Sequence, residues 1–291
     1  MHVSFHIGAH CTDEDQLVKS LLKNKGRLAK EGIITPGPGR YRGILAEVIG
    51  RLGGGRASEE TQDVLLEMIL DVDHADRLVM SHDNFLGIWG RALEHGNLYH
   101  LAADKVKRLR NLFPDSPVEF FIGIRDPATF IPALFNLSSN DNFLSFLGDT
   151  DPHSLLWSDV IRDIREAVPD CPLTVWCNED TPMIWPEVLH EVSGLDATIP
   201  LRGGFDILDI IMADEGIQRL RTYLTTHPPQ NEIQRRRVLS AFLDKYAIED
   251  EVEQELDLPG WTPDLVDELS RAYDEDVQEI ASIPGVNFLS A

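Results

Sequence analysis

Four short apolar runs, at residues 2–8, 77–81, 118–124 and 173–176, are each followed by stretches with helical periodicity. This alternation constrains the fold more than any other feature of the chain. A strand that is apolar along its whole length has to be buried on both faces, and strands separated by helices pair in parallel through crossover connections. The expected class is therefore α/β, in a three-layer α/β/α arrangement around a mostly parallel sheet. The first unit is the sharpest: the strand Val3–Ile7 runs into Gly8-Ala9, and a helical pattern starts almost at once. Strand, tight turn and helix in that order aim backbone N–H groups and a positive helix end at one spot, a layout suited to holding an anion.

The rest of the chain can be punctuated in the same way. The spacing of Leu17, Leu21, Leu22 and Leu28 predicts a helix over 13–31, with Thr12 and Asp15 set as a capping box. Pro36-Gly37-Pro38-Gly39 and Gly53-Gly54-Gly55 break the chain, and 36–56 reads as a Gly/Pro loop. Helices are expected at 58–72, 101–112, 127–137 (distorted at Pro132), 154–167 and 183–193, with a polar stretch at 138–153. Asp149-Thr150-Asp151 within that stretch is a loop rather than a metal–sugar-nucleotide motif. Beyond 204 the pattern becomes helical, at 206–225, 230–246 and 263–281, with Val286–Leu289 as a late strand. Residues 1–203 are read as the α/β core, and 204–291 as an acidic helical portion packed on it within the same domain.

Composition narrows the partners. A 291-residue chain that is 43% hydrophobic is long enough for a large core, and no apolar run approaches the roughly 18 residues needed to span a bilayer. The chain opens on a strand-like segment, so no signal peptide is expected, and its cysteines (Cys11, Cys171, Cys177) form no CxxC pair. A reduced, cytoplasmic setting is expected. The net charge of −23 argues against nucleic acid and against anionic membrane surfaces. The charge is uneven: residues 244–279 carry −12, whereas 36–56 carry +3 through Arg40, Arg42, Arg51 and Arg56 against Glu47. Arg40 and Arg42 are candidate ligands for an anionic substrate; the other reading is solvated arginines in a loop.

His6-Ile7-Gly8-Ala9-His10 resembles the opening of bacterial sulfotransferase-family proteins, where H-I-G-x-H-K-T-G-T-T forms the 5′-phosphosulfate loop. Further landmarks follow in the family's order. Leu78–Asp83 resembles its second strand, often ending in S-x-E. Phe121–Pro127 resembles the strand and R-D-P turn that hold the 3′-phosphate of phosphoadenosine phosphosulfate. Leu173–Trp176 resembles its fourth strand. The resemblance covers about residues 2–193 and implies a P-loop NTPase/sulfotransferase-like fold. It implies cofactor contacts at Gly8, Ala9, Thr12 and Arg125, and an acceptor-activating base at His10 or Asp83. It also exposes departures. Cys11 stands in place of the lysine, Asp13-Glu14-Asp15 in place of Gly-Thr-Thr, and Ala133 in place of a phosphate-binding serine.

Magnitudes weigh these departures. A lost charge-assisted hydrogen bond costs about 1.5–3 kcal/mol. Like charges about 4 Å apart repel by roughly 4 kcal/mol at an effective dielectric near 20, which is about a thousandfold in affinity. The helix dipole offers only about 0.3–1 kcal/mol per nearby charge. The acids are expected to interact with the helix end themselves, and the donor loop to be non-functional. The leading expectation is thus a repurposed or non-catalytic sulfotransferase-like protein with no cofactor, keeping a groove for a small molecule or carbohydrate. The alternative is a divergent sulfotransferase that uses phosphoadenosine phosphosulfate to sulfate a hydroxyl of a carbohydrate or small-molecule acceptor, with an arginine from 40–56 folded over the site. A P-loop kinase or hydrolase is a third possibility. His6, His10, His82, Asp83 and Cys11 gather at strand ends without a recognised ligand spacing, so no metal is expected.

Overall fold

β1 (His2–His6) lies in the middle of the sheet and sends alternate side chains to opposite faces. Val3, Phe5 and Ile7 enter one core, while His6 stacks on Trp176 on the other side. The computed structural model describes residues 1–252 and 258–291. From β1 the chain runs through α1 (Gln16–Leu22) and α2 (Lys25–Leu28) to the two-residue edge strand β2 (Ile33–Ile34). It returns through α3 (Arg42–Leu52) and α4 (Glu59–Ile69) to β3 (Arg77–Ser81), which pairs with β1. A small hairpin, β4 (Leu93–Glu94) and β5 (Asn97–Leu98), precedes α5 (Ala102–Arg110) and β6 (Val118–Ile124) on the far side of β1. Then come α6 (Pro127–Leu137), α7 (Phe143–Leu147), α8 (Trp157–Ala167), β7 (Leu173–Cys177) and α9 (Thr181–Ser193).

The four helices α10 (Leu208–Ile211), α11 (Asp214–Thr226), α12 (Glu232–Tyr246) and α13 (Glu249–Val252) follow, and α14 (Pro263–Ser282) leads into β8 (Val286–Leu289). The sheet order is β2-β3-β1-β6-β7-β8, and every pairing is parallel. The expected α/β class with a mostly parallel sheet is what forms, and helices cover both faces, consistent with three layers. One face packs against α3–α6, α8 and α14, and the other against α1, α2 and α9. No described helix is long and apolar enough to cross a membrane.

Local chemistry explains several elements. α4 starts at Ser58, whose hydroxyl accepts from Thr61 N at 3.2 Å, with Glu59 and Glu60 in the first turn. α6 starts at Asp126, which accepts from Ala128 N at 2.8 Å, with Pro127 in the first turn. Pro132 lacks the N–H that would reach Ala128 O, and Trp261 Nε1 donates to that carbonyl instead at 3.0 Å. α8 has no capping side chain of its own. Buried Asp276 of α14 accepts from Trp157 N at 2.7 Å and Ser158 N at 3.1 Å.

Four expectations need correction. The helix over 13–31 begins only at Gln16 and breaks at Asn24, whose side-chain amide donates to Ser20 O and Arg202 O. The Thr12/Asp15 capping box does not form: Thr12 donates to Ala9 O, and Asp15 has a left-handed backbone (φ 67°). Residues 42–52 are helix rather than loop, because Leu45 is buried and Ile44, Val48, Ile49 and Leu52 pack against the core. The polar stretch 138–153 also contains a helix, α7, capped by Asn142. Of the acidic run, Glu253, Glu255 and Asp257 lie outside the described residues.

Candidate functional site

The chain leaves β1 toward β2 and β3 on one side, and β6, β7 and β8 lie on the other, so the carboxyl end of β1 is a topological switch point. Open α/β sheets bind their ligands at such points. The first βα loop, residues 7–15, sits there, and several backbone donors in it and in the helix turn that follows are already engaged. Ala9 N donates to Gly123 O at 2.8 Å, tying the loop to β6, while Gly123 N donates back to Gly8 O at 2.9 Å. His10 N donates to the Tyr99 hydroxyl at 3.0 Å. At the start of α1, Gln16 N donates to Asp13 O and Leu17 N to Asp13 Oδ2, at 2.7 and 2.8 Å. Asp13 therefore supplies the negative charge that the helix end favours.

Asp15 has a partner as well. Arg42 from α3 grips the Asp15 carboxylate with both terminal nitrogens, and its Nη2 and Nε also donate to Ser81 O at the end of β3. The arginine segment thus does reach the loop through Arg42, but it meets an internal carboxylate there. Arg40 turns away to pair with Asp71. Backbone strain accompanies this arrangement: Cys11, Glu14 and Asp15 all have φ between 46° and 67°. A non-glycine residue in that region costs on the order of 1 kcal/mol or more.

Arg125 lies at the end of β6, as the R-D-P pattern places it. Its Nη1 donates to Cys11 O at 2.7 Å and its Nε to Thr129 Oγ1 at 2.9 Å, so the guanidinium braces the loop from below. Burial pushes the Cys11 thiol up to about 11, with Arg125 pulling the other way, so the thiol is neutral at physiological pH. Thr12 is spent on Ala9 O. Ala133 is half-buried within α6 and offers no hydroxyl.

His10 is buried, stacks on Tyr99, and has both ring nitrogens occupied. Nδ1 meets the Tyr99 hydroxyl at 2.7 Å and Nε2 meets Asn84 Oδ1 at 2.9 Å. Asn84 Oδ1 can only accept, which places the imidazole proton on Nε2, and Nδ1 of the neutral ring then accepts from the Tyr99 hydroxyl. Burial lowers the His10 pKa, although the Asn84 bond opposes it, so the ring is a neutral framework group in this arrangement. Asp83 is half-buried at the end of β3. Its hydrogen bond with His82 holds its carboxyl at about 2, which makes it a weak base at neutral pH. His6 Nδ1 pairs with Ser81 Oγ at 2.8 Å beneath the loop.

Beside the loop lies a cleft of about 510 Å³, bounded by residues 11–16, the Arg125 turn, the start of α9 and the apolar side of α10. Its described lining carries five carboxylates, among them Asp13, Glu14 and Glu179, against Lys19 and Arg125. Ile207, Ile210 and Pro182 supply an apolar wall. Glu179 accepts from Asp126 N at 2.9 Å and from the Tyr273 hydroxyl at 3.2 Å, joining the β7–α9 turn to α14. An acidic cleft with one apolar wall suits a neutral or cationic ligand and repels a polyanion.

Of the residues singled out from sequence, Gly8, Ala9, His10, Cys11, Thr12, Asp13, Asp15, Arg42, Asp83 and Arg125 gather around this switch point, whereas Arg40 does not. Tyr99 and Asn84, which hold His10, and Glu179 were not anticipated. Tyr99 is 89 residues from His10, and no spacing rule links them. For Glu179 a signal did exist, an acidic turn directly after a buried strand. Compared with protein-family models, curated proteins and solved structures, the chain matches none of them.

Proposed function

We infer that this chain is a sulfotransferase-like P-loop-fold protein whose donor loop has been turned inward, leaving a binding protein for a small neutral or cationic ligand such as a carbohydrate. The observation that carries this reading is that the Asp13 carboxylate already occupies the start of α1, with the Ala9 and His10 amides also taken. The amides of Ala9, His10 and Leu17 serve Gly123 O, the Tyr99 hydroxyl and the Asp13 carboxylate. A phosphate entering there would have to displace Asp13 and sit beside Asp15 and Glu14, at roughly 4 kcal/mol for each close carboxylate left facing it. Cys11 has no charge with which to compensate, and no nucleotide cofactor is needed on this reading. Order along the chain adds support for the fold family: the loop, the Ser81-His82-Asp83 end and the Arg125-Asp126-Pro127 turn stand at the carboxyl ends of three adjacent parallel strands.

One observation favours the runner-up, a divergent transferase that moves a sulfuryl group to a hydroxyl. Arg42 does lie over the loop, where such an enzyme would need a cation. Calorimetry with adenosine 3′,5′-bisphosphate separates the two. The binding-protein reading expects no heat up to millimolar ligand, and measurable binding once Cys11→Lys, Asp13→Gly, Glu14→Thr and Asp15→Thr are combined. Micromolar binding by the unaltered chain, abolished by Arg125→Ala, would instead establish the transferase reading.

A further inference from the structure

Away from the cleft, the β4–β5 hairpin gathers Glu94, His95 and His100, whose potential ligand atoms all lie within 4.8 Å of one another. We propose that these three side chains form a binding site for a zinc-class divalent cation. The donor set, two imidazoles and one carboxylate, is that of late first-row divalent ions; magnesium and calcium prefer oxygen alone. Metal–ligand bonds of about 2.1 Å put tetrahedral ligands about 3.4 Å apart, so the ligand atoms need to close by no more than about 1.4 Å.

Three features of the hairpin point the same way. His100 Nδ1 is buried without a hydrogen-bond partner, although Glu94 Oε2 lies 3.6 Å away; a shared cation would satisfy both. Glu94 Oε2 accepts from Arg91 Nε at 2.8 Å, an outer contact that orients the carboxylate as ligating carboxylates commonly are oriented. The turn itself is His95-Gly96, with φ of 57° and 71°, the two-residue geometry that favours Asn-Gly. Histidine is a poorer fit than asparagine at that position, and a ligand role accounts for it. His95 is exposed, so the remaining coordination positions open to water. The site also adjoins Tyr99, which holds His10, so a bound ion would stiffen the strap over the first βα loop.

The test uses the full chain without a polyhistidine tag, stripped with chelator. It is titrated with Zn²⁺ by calorimetry and with Co²⁺ by visible absorption. One equivalent is expected to bind with micromolar affinity. His95→Asn should weaken binding by about tenfold or more while leaving the metal-free thermal midpoint unchanged or higher, since Asn-Gly suits the turn. His100→Gln should weaken it similarly, with folding verified by circular dichroism. The proposal fails if the chain takes up neither ion at millimolar concentration. It fails equally if the His95→Asn/His100→Gln double variant binds as tightly as the parent, which would place the ion among the other eight of the ten histidines.

Discussion

His6 and His10 show how far single residues at the switch point have been committed to structure. Both rings are buried, and burial lowers both pKa values from 6.5. The folded chain therefore binds these protons more weakly than the unfolded chain does. Their contribution to stability is present above pH 6.5 and is lost as the pH falls below it, toward the depressed folded values. The slope can reach about 1.4 kcal/mol per pH unit for each ring. Urea midpoints measured from about pH 7.5 down to about 5 should fall, and His10→Gln should reduce the dependence. The difference between parent and variant isolates the ring from Asp276, whose carboxyl is pushed up by burial and contributes with the opposite sign. An unchanged slope in His10→Gln would contradict the assignment of His10 as a buried neutral group. At this scale the sequence revealed which residues converge but not whom they serve. His10 was legible as a turn residue near a strand end, whereas its partners Tyr99 and Asn84 are brought in by the β3–α5 connection. Arg42 was legible as part of a basic segment; its engagement by Asp15 depends on the position of α3.

Among the elements, those with strong periodicity and clear punctuation were the most legible. β3 and β6 span the residues their apolar runs predict, and α6 occupies Pro127–Leu137, the span expected for it. Misreadings fall where side chains compete with the backbone or where glycine and proline crowd a segment, at Asn24 and at 36–56. Helix-to-helix packing is set by shape and left no trace in the pattern. Gly216 of α11 is an example, since a Cβ there would stand 2.4 Å from Tyr246 Cβ of α12. Alanine is the better helix former by about 0.8–1 kcal/mol, but a backbone-proximal overlap of this kind costs about 1–3 kcal/mol. Overlap should therefore win. Gly216→Ala is expected to lower stability by about 1 kcal/mol net, read as a lower urea midpoint, and a stabilised variant would contradict the close α11–α12 approach.

Across the whole molecule, residues far apart in the chain converge on one edge of the sheet. β8, the last strand, extends the sheet beyond β7, and α14 caps α8 through Asp276 and meets Asp126 through Ser270. The residues beyond 204 thus include a strand and a helix that complete the layers around the β1 switch point. The net charge of −23 was plain from composition, but only the fold shows five carboxylates facing the cleft beside the first loop. Charge, loop engagement and the Asp15–Arg42 pair all act against a polyanionic donor. The most direct measurement is a crystal structure of the chain grown in millimolar adenosine 3′,5′-bisphosphate. The account predicts the Asp13 carboxylate on the Leu17 amide, Arg42 on Asp15, and no nucleotide against residues 8–14. A phosphate seated on those amides, with Asp13 displaced, would contradict it.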